Sequence, residues 1–239
     1  MWYKEWFDCD YYHILYCHRD DKEAEAFLHR LVGHLKLQPG MRILDLPCGR
    51  GRHSVFLEKE EYNVTGADLS SNSIAFAKQF ETSKLHFLVH NMLEPFPEKD
   101  FDAVMNLFTS LGYFDRPEED QKALQHMADA LKSGGFLIVD FLNPLQVEKN
   151  LIPEETRKID GIVFELNKKI DRKNVIKTVR FRHENKDFEY SEKVHLYSRD
   201  ELCSMVNATG LQIINTFGDY HLGPHTAKSE RCIVVARKS

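Results

Sequence analysis

The spacing of apolar side chains predicts alternating helices and strands through the first 141 residues. Between residues 22 and 36, apolar side chains recur at helical spacing, and Pro39 and Gly40 then end the pattern. Short apolar runs predict buried strands, and amphipathic segments between them predict helices. The predicted strands are 42–46, 63–68, 85–89, 101–107 and 135–141, and the predicted helices begin after Gly51, at 70–80 and at about 117–131. This alternation predicts a doubly wound α/β fold, with a parallel sheet and helices on both faces.

The pattern changes after Asn143 and Pro144. Three stretches between residues 162 and 196 alternate with a two-residue period, and polar turns at 172–174 and 185–187 separate them. We predict an inserted antiparallel three-stranded meander there. A helix at 199–208 and strands at 211–217 and 231–236 then resume the main sheet. The expected division is an N-terminal helical cap with the first part of the core at 1–145, the inserted meander at 146–197 and the second part of the core at 198–239.

Composition and charge narrow the function classes. The chain has 239 residues, 42% of them hydrophobic, and a net charge of -5, so its surface as a whole is not attractive to nucleic acid or an anionic membrane. The first residues include acids where a signal peptide needs an apolar stretch, and no apolar run reaches the roughly 20 residues of a membrane span. The five cysteines are scattered, with no Cys-x-x-Cys pair. We therefore expect a cytoplasmic protein with no membrane partner.

The first predicted strand ends in the most informative stretch, Ile-Leu-Asp-Leu-Pro-Cys-Gly-Arg-Gly-Arg-His at 43–53. Gly49 and Gly51 permit unusual backbone angles and close approach of a ligand, and the following helix start offers free N–H groups. Asp68 comes 17 positions after Gly51, at the end of the second predicted strand. A carboxylate placed there can accept hydrogen bonds from both hydroxyls of a ribose, so we predict a nucleoside ligand.

A dinucleotide is the main alternative ligand. Its Gly-x-Gly-x-x-Gly motif requires a third glycine at position 54, where this chain has Ser54. Asp45 would also repel a pyrophosphate, whereas it suits a ligand that carries an amino group. Both residues argue against a nucleotide-dependent oxidoreductase.

The stretch at 45–51 resembles the first motif of class I methyltransferases, and Gly66-Ala-Asp-Leu-Ser at 66–70 resembles the second. The likeness extends over about 41–141 and resumes at the C-terminal strands. It implies a Rossmann-like sheet of seven strands whose last strand is antiparallel, with S-adenosylmethionine as the cofactor. It also implies that the methionine part of the cofactor lies over Gly49 and Gly51, and that the ribose of the cofactor binds Asp68. Beside the adenine, Asn91 replaces the family's usual acid, and its amide oxygen can still accept a hydrogen bond from an amino group.

The expected cofactor site combines these motifs with the carboxyl ends of the strands, because ligands of open α/β sheets bind beyond that edge. In the resembling family, segments such as 11–19 often close over the cofactor, so Arg19 is a candidate partner of the methionine carboxylate; an exposed arginine is the alternative. The candidate cofactor-binding residues are Arg19, Asp45, Pro47, Cys48, Gly49, Gly51, Asp68, Leu69, Asn91, Met92, Asn106 and Leu107.

The acceptor is expected to be a small molecule, methylated on nitrogen or oxygen by in-line displacement. The loop at 109–114 resembles that of bacterial small-molecule methyltransferases, including some that act on amines. The sulfonium donor is already reactive, so no dedicated catalytic residue is assigned. The candidate acceptor-binding residues are Tyr12, Phe108, Tyr113, His195 and His221.

Other functions stay open as alternatives. The signatures of DNA adenine and cytosine methylation are absent after the fourth strand, although basic pairs in the meander leave an RNA substrate as an alternative. A non-catalytic cofactor-binding module is a further alternative. The histidine pairs His86/His90 and His221/His225 lack carboxylate or cysteine companions at metal spacing, so no metal site is predicted. The meander is expected to shape an acceptor pocket or an oligomer contact, such as a homodimer interface.

Overall fold

The structure is a computed structural model that describes residues 2–16 and 21–239, with the backbone alone at residue 21. Its helices are α1 (Trp2–Phe7), α2 (Asp10–Leu15), α3 (Asp21–His34), α4 (Arg52–Lys59), α5 (Ser71–Ala77), α6 (Pro117–Ala130), α7 (Pro144–Asn150) and α8 (Arg199–Asn207). Its strands are β1 (Arg42–Asp45), β2 (Asn63–Asp68), β3 (Leu85–Val89), β4 (Phe101–Asn106), β5 (Leu131–Leu142), β6 (Glu154–Ile159), β7 (Ile162–Asp171), β8 (Asn174–His183), β9 (Lys186–His195), β10 (Gln212–Phe217) and β11 (Arg231–Arg237).

The larger sheet has seven strands in the order β10-β11-β5-β4-β1-β2-β3. β11 runs antiparallel to both β10 and β5, and the other neighbouring strands pair in parallel. The predicted Rossmann-like sheet with an antiparallel last strand is therefore confirmed. Parallel strands share one carboxyl edge, so the ends of β1, β2, β3 and β4 lie together there.

Apolar side chains cover both faces of this sheet. On one face, Phe27 and Leu31 of α3 and Leu57 of α4 belong to a single buried cluster. On the other face, Leu124 of α6 and Leu202 of α8 belong to a second cluster. Every residue of the central strand β4 is buried, as expected for a parallel strand that helices cover on both sides. This packing fixes the carboxyl edge on a rigid support.

The inserted sheet has four antiparallel strands in the order β6-β7-β8-β9, so the prediction of three strands is wrong. The missed strand is β6, whose sequence is Glu-Glu-Thr-Arg-Lys-Ile. Of these residues only Ile159 is buried. An edge strand with almost no apolar face lacks the alternation by which strands are predicted.

Two short N-terminal helices, α1 and α2, lie against the inserted sheet. Trp6 and Leu15 are almost completely buried and cluster with Ile162, Phe164 and Phe181 of the sheet. Each helix has six residues, too few to show a helical period, and tertiary packing stabilises them. We call residues 2–16 the N-terminal cap. In the ranges that the structure describes, no helix is long and apolar enough to cross a membrane.

Candidate functional site

A cavity of about 560 Å³ opens at the carboxyl edge of the larger sheet, beneath the N-terminal cap. The ends of β1 to β4 contribute to its wall, together with the segments that follow them. Most of the residues predicted from the motifs meet there. The predicted cofactor residues that line it are Pro47, Cys48, Gly49, Asp68, Leu69, Asn91, Met92 and Leu107, and the predicted acceptor residues are Tyr12, Phe108 and Tyr113.

Several predicted residues lie elsewhere. Asp45 and Asn106 are completely buried at the ends of β1 and β4 and do not line the cavity. His195 lines a separate, shallow depression beside Glu201, and His221 is exposed on the loop between β10 and β11, so the structure does not place either histidine at the cavity. Arg19 lies outside the described residues.

Asp68 is held at the end of β2 by two main-chain donors. The amide of Gly49 donates to Oδ2 over 2.8 Å, and the amide of Ser70 donates to Oδ1 over 2.8 Å. Burial raises the pKa of Asp68, and these hydrogen bonds oppose the rise. The two donors fix the carboxylate against the glycine turn, on the wall of the cavity.

Gly51 has a packing role within the turn. It has a φ of +86° and does not line the cavity. A Cβ built on it would lie 2.6 Å from Cζ of Phe87, a ring of β3 that lies against the turn. The missing side chain at Gly51 therefore makes room for the ring, and the role of Gly51 toward the cofactor stays a prediction. Gly49, in contrast, lines the cavity and has no atom within 4 Å of its Cβ position.

Two buried oxygens beneath the cavity have no hydrogen-bond partner among the described residues, Oδ1 of Asp45 and Oδ1 of Asn106. The Asn106 amide donates to the carbonyl of Leu46 over 2.8 Å, which ties β4 to the start of the glycine turn. Burial raises the pKa of Asp45 to about 7. The Asn106 amide therefore acts on the loop that follows β1, and neither side chain is among those that line the cavity.

Asn91 follows β3 and faces the cavity. Its side-chain oxygen accepts a hydrogen bond from the amide of Leu93 over 3.1 Å, which closes a local turn. A carbonyl oxygen has two lone pairs, so a second donor can still be accepted. The predicted role beside an amino group therefore remains compatible with this geometry.

A cationic and aromatic cluster at the start of α4 was missed from the sequence. Arg50, Arg52 and His53 line the cavity, and the His53 ring stacks on Phe108 with centroids 4.8 Å apart. The Arg52 guanidinium lies 5.0 Å from the centroid of the same ring, and its Nη2 is 3.1 Å from His53 Nε2. These residues belong to the motif at 43–53, but the sequence does not indicate that they face the post-β4 segment.

The N-terminal cap covers the cavity with aromatic rings. Tyr3, Phe7, Tyr12 and Tyr16 all contribute to the wall. The ring of Phe7 lies 4.9 Å from that of Tyr12 and 5.2 Å from that of Tyr113, so cap and core share one aromatic wall. The sequence indicated only that the segment from residue 11 covers the cofactor site. In the structure α1 covers the cavity as well, although its sequence gave no signal of this.

Polar contacts fasten the cap at both ends. On the larger sheet, Asp8 accepts hydrogen bonds from the Ser70 hydroxyl over 2.6 Å and from the Asn72 amide over 2.9 Å. On the inserted sheet, Glu192 accepts from the Trp6 indole over 2.6 Å and from the Tyr16 hydroxyl over 2.7 Å. The inserted sheet therefore supports the cap over the cavity.

Residues 43–135 match the family model of a methyltransferase domain. A putative methyltransferase from a Geobacillus strain is 32% identical over 119 residues, which span 48% of this chain and 48% of that relative. The chain thus spans about half the length of this relative. A glycine/sarcosine N-methyltransferase from Aphanothece halophytica is 28% identical over 229 residues, with 92% of this chain and 83% of that protein covered.

Solved structures share the architecture at low sequence identity. An S-adenosylmethionine-dependent methyltransferase from Clostridium acetobutylicum superposes with a TM-score of 0.82 at 18% identity, over 96% of both chains. A sugar N-methyltransferase from a Streptoalloteichus species superposes with a TM-score of 0.76 at 20% identity, over 95% of this chain and 92% of the other. Both superpositions include the inserted region, because they cover nearly the whole chain.

Proposed function

Because the chain belongs to the class I S-adenosylmethionine-dependent methyltransferases, we propose that it methylates a nitrogen or oxygen of a small-molecule acceptor by in-line displacement. One observation carries the proposal. The Asp68 carboxylate, the glycine turn and an aromatic wall meet around one cavity at the carboxyl edge of the sheet. A nucleoside and an acceptor can therefore occupy one enclosed space.

The residues present fit the family's cofactor. The cavity of about 560 Å³ falls within the range of small-molecule sites. Asp68 would hold the ribose hydroxyls, since a carboxylate accepts two hydrogen bonds. Asn91 and Met92 would flank the adenine, one through its amide and the other through its apolar chain. Gly49 would allow the methionine part to approach the main chain, because no side chain occupies that point.

When bound, the cofactor supplies an activated methyl group on a positively charged sulfur. The chain's own residues orient the acceptor, exclude water and surround the reacting charge. Ring faces attract cations, so the wall formed by Phe7, Tyr12 and Tyr113 suits a cationic centre. His13 and His53 also line the cavity, and a neutral imidazole can take the proton that an amine releases.

An amine is the acceptor that we favour within this class. The names of the glycine/sarcosine enzyme and of the sugar enzyme, both similar to this chain, specify transfer to nitrogen. The aromatic rings of the wall also agree with a small acceptor. Arg50 and Arg52, which line the cavity, are suited to an acceptor that carries a carboxylate.

Transfer from S-adenosylmethionine labelled in the methyl group tests the proposal. The purified protein would be incubated with glycine, sarcosine, an amino sugar, matched hydroxyl compounds and total cellular RNA, and the labelled products would be separated. We expect turnover with at least one amine and its loss in the variant Asp68→Ala. Labelled RNA in place of a small-molecule product would contradict the proposed acceptor class.

A further inference from the structure

Two consecutive residues of the cavity wall, Phe108 and Thr109, have left-handed backbone angles, with φ of 58° and 63°. Neither is glycine, and bulky or β-branched residues rarely adopt this conformation. Such backbone persists only where the surrounding structure imposes it. The segment after β4 must therefore be held by groups outside it.

Asp140 of β5 supplies the main-chain restraint. Its Oδ2 accepts a hydrogen bond from the amide of Phe108 over 2.9 Å, and its own carbonyl accepts from the amide of Thr109 over 3.2 Å. The side chain is completely buried. Both strained residues are thus tied to one carboxylate residue on the neighbouring strand.

Arg231 of β11 completes the restraint from the next strand of the sheet. Its Nε donates to Asp140 Oδ1 over 2.8 Å, and its Nη2 donates to the Thr109 hydroxyl over 2.9 Å. Tyr220 donates from its hydroxyl to Asp140 Oδ2 over 3.1 Å. Burial and the Asp140 carboxylate raise the pKa of Tyr220, so its hydroxyl remains a donor. The Asp140 carboxylate therefore accepts three hydrogen bonds, from the Phe108 amide, the Arg231 guanidinium and the Tyr220 hydroxyl.

The segment at 108–109 in turn contacts aromatic side chains at the cavity. The Phe108 ring lies between His53 and Tyr220, with centroid distances of 4.8 Å and 5.2 Å. The Thr109 carbonyl accepts a hydrogen bond from the Tyr113 hydroxyl over 2.5 Å. A change in the backbone at 108–109 would therefore move two aromatic residues that line the cavity.

We propose that Asp140 and Arg231 are positioning residues for methyl transfer, which fix the segment at 108–109 and through it the acceptor side of the cavity. This inference rests on the proposed function, because the acceptor side has meaning only for a transferase. Neither Asp140 nor Arg231 is among the residues that line the cavity. They act through Phe108, Thr109 and Tyr113, and small displacements of positioning groups reduce turnover strongly.

Asp140→Asn is the sharpest substitution. It preserves shape, but an amide has one accepting oxygen, so its nitrogen must face either Arg231 or the donors Phe108 and Tyr220. Arg231→Lys retains the charge but removes the planar guanidinium, whose two nitrogens bond Asp140 and Thr109 at the same time. Thr109→Val is the milder variant, since it removes only the hydroxyl that Arg231 reaches. Arg237→Lys, at the exposed end of the same strand, is the matched control.

Three measurements on the whole protein test the proposal: hydrogen exchange at residues 107–111, calorimetric binding of S-adenosylhomocysteine, and turnover of an amine that the labelling experiment identifies as an acceptor. In Asp140→Asn and Arg231→Lys we expect exchange about tenfold faster at 108–109 and kcat lower by about 10- to 100-fold, with affinity for S-adenosylhomocysteine within about threefold of wild type. Thr109→Val should show smaller changes in the same direction, and Arg237→Lys none.

Unchanged exchange at 108–109, or an unchanged kcat in variants that fold, would overturn the positioning role. Should Asp140→Asn not fold, Thr109→Val and Arg231→Lys carry the same test. A wild type that binds S-adenosylhomocysteine but methylates no amine or hydroxyl compound would instead refute the proposed function, and the exchange data would then show a structural restraint only. The two failures are thereby distinguished.

Discussion

Ser54, in the first turns of α4, donates a 2.6 Å hydrogen bond from its hydroxyl to Oδ2 of Asp45 at the end of β1. Both side chains are completely buried. Ser54 occupies the position where a dinucleotide-binding motif has its third glycine, and Asp45 is the acid that would repel a pyrophosphate. The two departures from that motif are therefore partners in one contact, which joins the strand to the helix across the glycine turn.

The burial of Asp45 predicts a specific pH dependence of stability. Burial raises its pKa to about 7, so the folded chain binds this proton more tightly than the unfolded chain. The resulting stabilisation is full below about pH 4 and is lost as the pH rises through about 7. Between about pH 5 and pH 8 the free energy of unfolding should fall by roughly 2–3 kcal/mol relative to Asp45→Asn, which cannot titrate. Denaturant unfolding of both proteins at several pH values measures this. A difference in unfolding free energy between them that stays constant from about pH 5 to pH 8 would refute the prediction.

Gly51 and Gly49 should respond differently to alanine. Gly51→Ala places a methyl group 2.6 Å from Phe87 in a left-handed backbone, and should cost roughly 2–4 kcal/mol of stability. Gly49→Ala meets no atom within 4 Å, and should cost about 1 kcal/mol through backbone strain alone. Urea unfolding measures both.

Ligand binding should show the opposite order at these two glycines. Gly49 lines the cavity, so its alanine variant should weaken S-adenosylhomocysteine binding more than Gly51→Ala does once both are folded. Stability gives a second test. Replacing the Phe87 ring by leucine in the double variant Gly51→Ala/Phe87→Leu should recover part of the stability that Gly51→Ala loses. Equal stability losses at the two positions would contradict the assignment of Gly51 to packing.

Asp68→Ala should weaken S-adenosylhomocysteine binding by about 10- to 100-fold, the loss expected when charge-assisted hydrogen bonds to a ligand are removed. Calorimetric titration measures it, and circular dichroism confirms the fold. Asp187→Ala removes a highly exposed carboxylate on the inserted sheet and should leave affinity unchanged. Binding within about twofold of wild type in Asp68→Ala would show that the ribose lies elsewhere.

Glu192→Gln should loosen the N-terminal cap. The Glu192 carboxylate accepts hydrogen bonds from Trp6 and Tyr16, and an amide accepts them more weakly. S-adenosylhomocysteine affinity should fall by roughly three- to tenfold. Both tryptophans of the chain, Trp2 and Trp6, belong to the cap, so their emission should shift to longer wavelength.

A neighbouring residue provides the control for the cap. Glu189 of the same strand pairs with Arg180 at the exposed face, so Glu189→Gln should change neither affinity nor emission. Equal effects of the two substitutions would show that they perturb the inserted sheet in general. No effect of either would remove the cap from the binding site.

The main sheet could be predicted from the sequence because each parallel strand is a short apolar run and each helix shows a clear period. The motif residues Gly49 and Asp68 both line the cavity, because the carboxyl edge of such a sheet defines where the two motifs meet. The strand β6 and the helices α1 and α2 escaped prediction. Their stability comes from tertiary contacts, such as that of Trp6 with the inserted sheet, and not from a local pattern.

The long-range contacts of the site were beyond sequence reasoning. Nothing local to Gly51 shows that Phe87, 36 positions later, fills the space beside it. Asp140 and Arg231 are 91 positions apart and carry no motif, yet they determine the backbone of Phe108. His195 and His221 were candidates by residue type alone, and the fold places both away from the cavity. A residue type without a positional constraint is weak evidence for a site.

Calorimetric titration of the purified protein with S-adenosylhomocysteine, beside NAD and NADP, tests the central claim most directly, because the ligand binds without any acceptor. We expect binding in the micromolar range for S-adenosylhomocysteine alone, with the affinity lowered in Asp68→Ala. Binding of a nicotinamide dinucleotide, with none of S-adenosylhomocysteine, would contradict the account.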